Sequence, residues 1–188
     1  DLVTGNLTAI AIKDMKSSEK TDLLDGNDID VKSMVEENCA GFVYGDMTSV
    51  AVSEDGSKLA VAIQAENYAD TGRVALFTCN ADGTLTFDKV YETGVQPDMV
   101  TFASNDSKIL TADEGEPRDG YGDGIIDPKG TVTIINLADQ TVSQVDFTSY
   151  DNSDSREQLV ESGVILKKNT NPSVDFEPEY IAVGDKTA

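Results

Sequence analysis

The sequence predicts an all-β fold, a fragment of a β-propeller of about two and a half four-stranded antiparallel blades, with short helices in its long connections. The first observation is a repeated strand: GNLTAIAI from Gly5, GRVALFTC from Gly72 and GTVTIINL from Gly130 each place a glycine before alternating apolar residues. The second is a longer internal match between MTSVAVSEDGSKLAVAIQ from Met47 and DMVTFASNDSKILTADE from Asp98. Turn residues at fixed offsets join these strands, and a β-sandwich would not repeat its sequence in this way.

The repeat divides the chain into successive units of one partial propeller domain, residues 1–188. Since closed propellers have about four to eight blades, we expect the chain to form part of a larger ring. The units are the end of one blade plus a long helical connection (1–46), a blade (47–92), a second blade (98–147), a helical connection (148–178) and the start of a further blade (179–188).

Both long connections contain a short amphipathic segment that predicts a helix. The first covers residues 30–38 and the second residues 153–162, where Ser153 is a candidate N-cap and Gly163 a stop signal. We expect these helices to pack their apolar sides, Met34 with Val35 and Leu159 with Val160, on the neighbouring blades.

The charge balance limits the partners of the protein. The chain has 14 Lys and Arg residues against 35 Asp and Glu residues, a formal net charge of −21. This charge disfavours nucleic acid and anionic membrane surfaces as partners on electrostatic grounds. The sequence has no apolar run of the length that spans a bilayer. A solvated acidic surface and a cation-binding surface are the two interpretations of this charge.

The cysteine and histidine content limits the chemistry. Cys39 and Cys79 belong to no C-x-x-C pair, so they are interpreted as two buried thiols, with a single disulfide as the alternative. The sequence has no His, which excludes a Ser-His-Asp or Cys-His nucleophilic site and His-ligated zinc within this chain. Whether the protein is an enzyme stays open.

The long connections are expected to share one face of the propeller. In an antiparallel meander the chain reverses at every turn, so the connections 14–46, 65–72, 115–129 and 148–178 emerge together, opposite the tight turns. We call this the loop-bearing face, and the opposite one the turn-bearing face. Long ordered loops on a rigid scaffold usually carry binding groups. The candidate residues on its rim are Glu66, Asp98, Glu114, Glu116, Arg118, Asp175, Glu177 and Glu179.

The loop in TADEGEPRDGYGDGIIDPKG, residues 111–130, is the most specific candidate site. Asp119, Asp123 and Asp127 follow the spacing of part of a calcium loop, although Tyr121 and Gly130 stand where further ligands belong. Hard oxygen ligands without His or Cys favour Ca²⁺, and a glycine-rich turn with exposed carboxylates is the alternative. Arg118 within this loop is interpreted either as an ion-pair partner or as a phosphate or carboxylate ligand.

The motifs GVQPDMVTF, TADEGEPRDGYGDGIIDPKGTVTIINL, REQLVESGV and DFEPEYIAV, in this order, resemble the bacterial β-propeller family called choice-of-anchor I. This family is similar to the mesenchyme-specific cell-surface glycoprotein group. Some members are described as alkaline-phosphatase-like or occur beside nucleotidase domains. The resemblance implies a secreted or surface-anchored bacterial propeller whose anchor and other blades lie outside this segment. It implies no catalytic residue.

Two functions from different classes follow. The first is an extracellular or cell-surface module that binds or displays an unknown extracellular ligand or protein through its acidic loop-bearing face. The alternative is part of a metal-dependent phosphoesterase whose acidic rim holds the metal. Open blade edges also predict self-association, because unpaired strands pair with other chains.

Overall fold

The computed structural model describes residues 29–184. The predicted strand from Gly5 lies outside the described residues, as do residues 185–188. Eight strands form within the described range, and they are listed here with their bounds: β1 Tyr44–Val52, β2 Lys58–Ala65, β3 Thr71–Cys79, β4 Leu85–Val95, β5 Pro97–Ala103, β6 Lys108–Asp113, β7 Thr131–Asn136 and β8 Val142–Asp146.

The strands form two separate four-stranded sheets, ordered β1-β2-β3-β4 and β5-β6-β7-β8. Every neighbouring pair is antiparallel and consecutive in the chain, so each sheet is a simple meander. One residue, Gln96, separates β4 from β5 and carries the chain from the outer strand of the first sheet to the first strand of the second. The predicted all-β class with four-stranded antiparallel units is therefore confirmed.

The two sheets pack face to face through a continuous apolar core. Its members from both sheets are Ala60, Ala62, Val74, Leu76, Tyr91, Val100, Phe102, Ile109 and Ile135, all buried. Interdigitated aliphatic side chains in this interface hold the sheets as stacked blades, because strand side chains alternate between the two faces of a sheet.

A second core covers the other face of the first sheet. Helix α1, Val31–Asn38, is capped by Asp30, whose carboxylate accepts a hydrogen bond from the Ser33 amide at 3.0 Å. Val31 and Val35 of α1 are fully buried in a cluster with Phe77. The predicted packing of the first helix on its blade is confirmed.

The second predicted helix forms as α2, Ser153–Glu161, but it has no buried residue. Val160 is 52% exposed. The expectation that Leu159 and Val160 pack on a blade is therefore wrong for the described part of the chain. Instead α2 is tethered at its polar side, where Arg156 Nη2 donates to the Lys167 carbonyl at 2.7 Å. A 3₁₀ turn, Thr148–Tyr150, precedes α2, and a short helix α3, Pro172–Asp175, follows it.

The repeat in the sequence corresponds to equivalent positions in the two sheets. Leu59 and Ile109 align in the sequence. Leu59 packs in the core that contains α1, and Ile109 packs in the core between the two sheets, so each side chain faces the element that precedes its sheet in the chain. Val100 is buried against the first sheet, whereas its sequence counterpart Val50 is 50% exposed. The third unit predicted from Glu179 stays a prediction, because residues 179–184 are not assigned to a strand.

The end of strand β6 corrects the assignment of residues 111–113 to a polar loop. Asp113 is fully buried, and its carboxylate accepts hydrogen bonds from the hydroxyls of Thr111 (2.6 Å), Thr131 (2.8 Å) and Thr133 (2.6 Å). Burial raises the pKa of Asp113, and these hydrogen bonds oppose the increase. A polar residue is tolerated in the core here because two of its partners come from the adjacent strand β7.

Candidate functional site

Gln96 joins the loops of the two sheets on the loop-bearing face. Its side chain is buried, and its Nε2 donates to the carbonyl of Tyr68 at 3.0 Å and to the carbonyl of Glu116 at 2.6 Å. Its own main-chain carbonyl accepts the Glu114 amide at 2.9 Å. Gln96 has a φ of 55°, so the turn between the sheets places this side chain between the loops. One buried amide thus fixes the loop after β2 and the loop after β6, and we call this arrangement the Gln96 clamp.

The two loops also contact each other directly. The Tyr68 hydroxyl donates to the Ile126 carbonyl at 3.3 Å. Burial and the negative charges of Asp119 and Asp127 raise the pKa of Tyr68, because the phenolate form would add a further negative charge. The candidate site is therefore built from both blades.

Arg118 is held by two carboxylates and by the clamp glutamine. Its Nη2 lies 3.5 Å from Glu114 Oε2, and its Nε lies 3.2 Å from Glu116 Oε2 and 3.3 Å from Gln96 Oε1. This agrees with the interpretation of Arg118 as an ion-pair partner that shapes the loop. Its side chain is 45% exposed, so these ion pairs stabilise the fold only weakly.

Glu114 is a carboxyl group of this face with a strongly raised pKa. Its side chain is 13% exposed. Burial, and then the nearby carboxylates of Glu116, Glu179 and Asp98, raise the pKa of Glu114 to about 7, against the opposing charge of Arg118. The structure thus brings together five of the rim residues that the sequence predicted.

This perturbation predicts a pH dependence of stability. Because Glu114 has a folded pKa of about 7, above its usual 4.5, the folded protein holds more protons than the unfolded chain between those values. The stabilising contribution is complete below pH 4.5 and is lost as the pH rises through about 7. We expect Glu114→Gln to flatten this part of the curve, measured by urea unfolding at about pH 5 and about pH 8.

The control for that measurement is Glu157→Gln on the exposed surface of α2, which should keep the wild-type slope. An NMR titration that finds the Glu114 pKa at its usual value of 4.5 would contradict the expectation.

Two further predicted rim residues, Asp175 and Glu177, lie around Lys167, whereas Glu66 lies apart from them beside Tyr68 and Arg118. The Lys167 amide donates to Asp175 Oδ2 at 2.6 Å, and its Nζ lies 2.9 Å from the centre of the Tyr121 ring. Burial raises the pKa of Asp127 and of Glu177, and the charge of Lys167 opposes both increases.

The three predicted calcium ligands differ in their exposure. Asp119 and Asp123 are exposed, whereas Asp127 is partly buried with its Oδ1 lacking a hydrogen-bond partner. Among residues 29–184, no group of three or more carboxylates or cysteines is arranged to hold a metal ion. The calcium site at Asp119, Asp123 and Asp127 stays a prediction.

Sequence reasoning missed the residues that organise the site. Gln96 lies in the motif GVQPDMVTF and Tyr68 lies in no motif, but neither residue has a charge or ligand spacing that marks it as part of a site. The one-residue connection between two matched blades was a signal for Gln96, because that residue must adopt the turn between the sheets.

Cys39 and Cys79 are free thiols, both half-buried against the first core.

Comparison with known proteins identifies one family. The choice-of-anchor I domain model matches residues 2–188. No curated protein matches. A crystal structure of a protein from Lactobacillus plantarum is similar at 18% sequence identity and a TM-score of 0.38, over 57% of this chain and 27% of that chain. The chain thus spans about a quarter of that protein, and so distant a likeness carries no argument about function.

No helix within the described range has the length and apolar character needed to cross a bilayer.

Proposed function

The chain belongs to the choice-of-anchor I family, which indicates a surface-associated bacterial module, and from that premise we propose that it is an extracellular binding module. Its loop-bearing face takes the ligand. The face consists of ordered loops on a rigid pair of sheets, the usual arrangement of a binding surface.

The observation that carries this proposal is the Gln96 clamp. A buried glutamine holds loops from two blades in one arrangement through hydrogen bonds of 3.0 and 2.6 Å. Loops that are held in one arrangement before a ligand arrives bind it at a lower entropic cost than mobile loops. The carboxylates that line these loops favour a positively charged ligand or protein partner.

The phosphoesterase alternative has no observation in its favour among residues 29–184, where no carboxylate group is arranged for a metal. We therefore assign no catalytic role to the acidic rim.

The test compares neutralised carboxylates on the two faces. One triple variant changes the loop-bearing face: Glu116→Gln, Asp119→Asn and Asp123→Asn. The matched variant changes the turn-bearing face: Glu54→Gln, Asp82→Asn and Asp139→Asn. Binding of a tetralysine peptide is measured by surface plasmon resonance at low and high salt.

We expect the loop-face variant to bind at least about tenfold more weakly than the turn-face variant, with a smaller salt dependence. Equal losses in the two variants would contradict a specific binding face and would leave only the net charge as the cause.

A further inference from the structure

An open cavity of about 270 Å³ lies on the loop-bearing face where β1 begins and β2 ends. Its lining residues are Gly45, Asp46, Gln64, Ala65, Glu66, Tyr68 and Arg118. The cavity is thus bounded by the first sheet, by the loop after β2 and by Arg118 of the loop after β6, and Gln96 is hydrogen-bonded to both loops.

The start of β1 is shaped for this cavity. The register of β1 against β2 shifts between Tyr44 and Asp46, an irregularity that redirects side chains at strand ends. Gly45 lies at this shift, and a Cβ there would meet the Ala65 carbonyl oxygen at 2.5 Å. The bulge therefore requires glycine.

The charges around the cavity are unequal. Asp46 and Glu66 contribute carboxylates to the lining, and Arg118 contributes the one guanidinium among its seven lining residues. The charge of Arg118 is already offset by Glu114 at 3.5 Å and Glu116 at 3.2 Å. The exposed Glu66 has no such cation among the described residues. The local potential is therefore negative, and the cavity favours a cation.

The size and composition favour an organic cation over a metal ion. The cavity of about 270 Å³ is about nine times the ~30 Å³ that one water molecule occupies in the liquid. Within the described range its carboxylates are not arranged as a metal-ligand group. Tyr68 and Ala65 are also among the lining residues, and their apolar atoms suit a ligand with a methylene stem.

We propose that this cavity binds a primary ammonium group on a short aliphatic stem, the chemistry of a lysine side chain or an aliphatic diamine. Glu66 pairs with the ammonium group, and the apolar atoms of Tyr68 and Ala65 contact the stem. The proposal rests on the proposed binding function and names the ligand class of one site on that face.

The test titrates the full chain with Nα-acetyl-lysine amide and with 1,5-diaminopentane, followed by NMR and calorimetry. The uncharged probe Nα-acetyl-norleucine amide has a similar stem without the ammonium group. The variants are Glu66→Gln, which keeps the side-chain shape, and Glu157→Gln on α2 as a control with the same charge change.

We expect saturable binding of both amines, no binding of the norleucine probe, and at least about a tenfold loss of affinity in Glu66→Gln with none in Glu157→Gln. Wild-type affinity in Glu66→Gln, equal losses in both variants, or competition by calcium with no effect of Glu66→Gln would overturn it. If tetralysine still distinguishes the two faces while Glu66→Gln is silent, the ligand site is wrong and the binding face stands.

Discussion

Asp113→Ala is expected to lower the free energy of unfolding by about 3 kcal/mol. The substitution leaves three buried threonine hydroxyls, those of Thr111, Thr131 and Thr133, without their acceptor, and it opens a cavity at the end of β6. The alanine variant also avoids the free-energy cost of burying a carboxylate, and this offsets part of the loss. Urea unfolding monitored by circular dichroism measures the difference.

Asp113→Asn is the informative companion, because its amide oxygen keeps one acceptor and its loss should be smaller. Since burial raises the pKa of Asp113 above its usual 3.8, its contribution is greatest below that value and declines as the pH rises through the folded pKa. The asparagine variant should lack this decline. Equal stability of Asp113→Ala and the wild type would show that the carboxylate does not hold β6 to β7.

Gly94→Ala is expected to cost about 3 kcal/mol through overpacking at the contact between the sheets. A Cβ at Gly94 in β4 would collide with Thr131 Oγ1 and would lie 2.6 Å from Asp113 Oδ2. Both neighbours are buried and bonded to each other, so neither moves without breaking that bond. Thermal and urea unfolding measure the effect.

Gly184→Ala is the matched control, since no atom of residues 29–184 lies within 4 Å of its added Cβ, and it should change stability by less than about 0.5 kcal/mol. The substitutions Asp113→Ala and Gly94→Ala should also be non-additive, because Asp113→Ala frees part of the space that the methyl group added at position 94 requires. Strict additivity would contradict a shared packing site.

The fold was predictable because apolar residues occur at every second position of the strands, and because this pattern recurs with the same turns in both four-stranded units. The sequence match between the segments that begin at Met47 and at Asp98 located both sheets. The sheets differ from the expected blades only at their ends. The sequence did not reveal that Asp113 is buried, because a carboxylate next to a glycine-rich loop has the local pattern of a turn. Only the pairing of β6 with β7 brings Thr131 and Thr133 to it.

The site was predictable in its location and only partly in its residues. Because the strands alternate in direction, the sequence predicted that the long loops lie on one face. The charge of Glu114, Glu116 and Arg118 was enough to identify them as candidates. Gln96 lies at a turn with positive φ, and Asp46 lies at a β-bulge. Both backbone features depend on contacts between residues that are distant in sequence. The linear spacing of Asp119, Asp123 and Asp127 does not determine where their side chains point.

The loop-bearing face is the surface on which the proposed function depends. Amide chemical-shift mapping of the full chain during titration with tetralysine tests its role directly, because it locates contact residue by residue. We predict that the largest shifts lie at residues 66–70, 96–98 and 114–128. Largest shifts at the opposite turns, residues 53–57, 80–84 and 104–107, would contradict it.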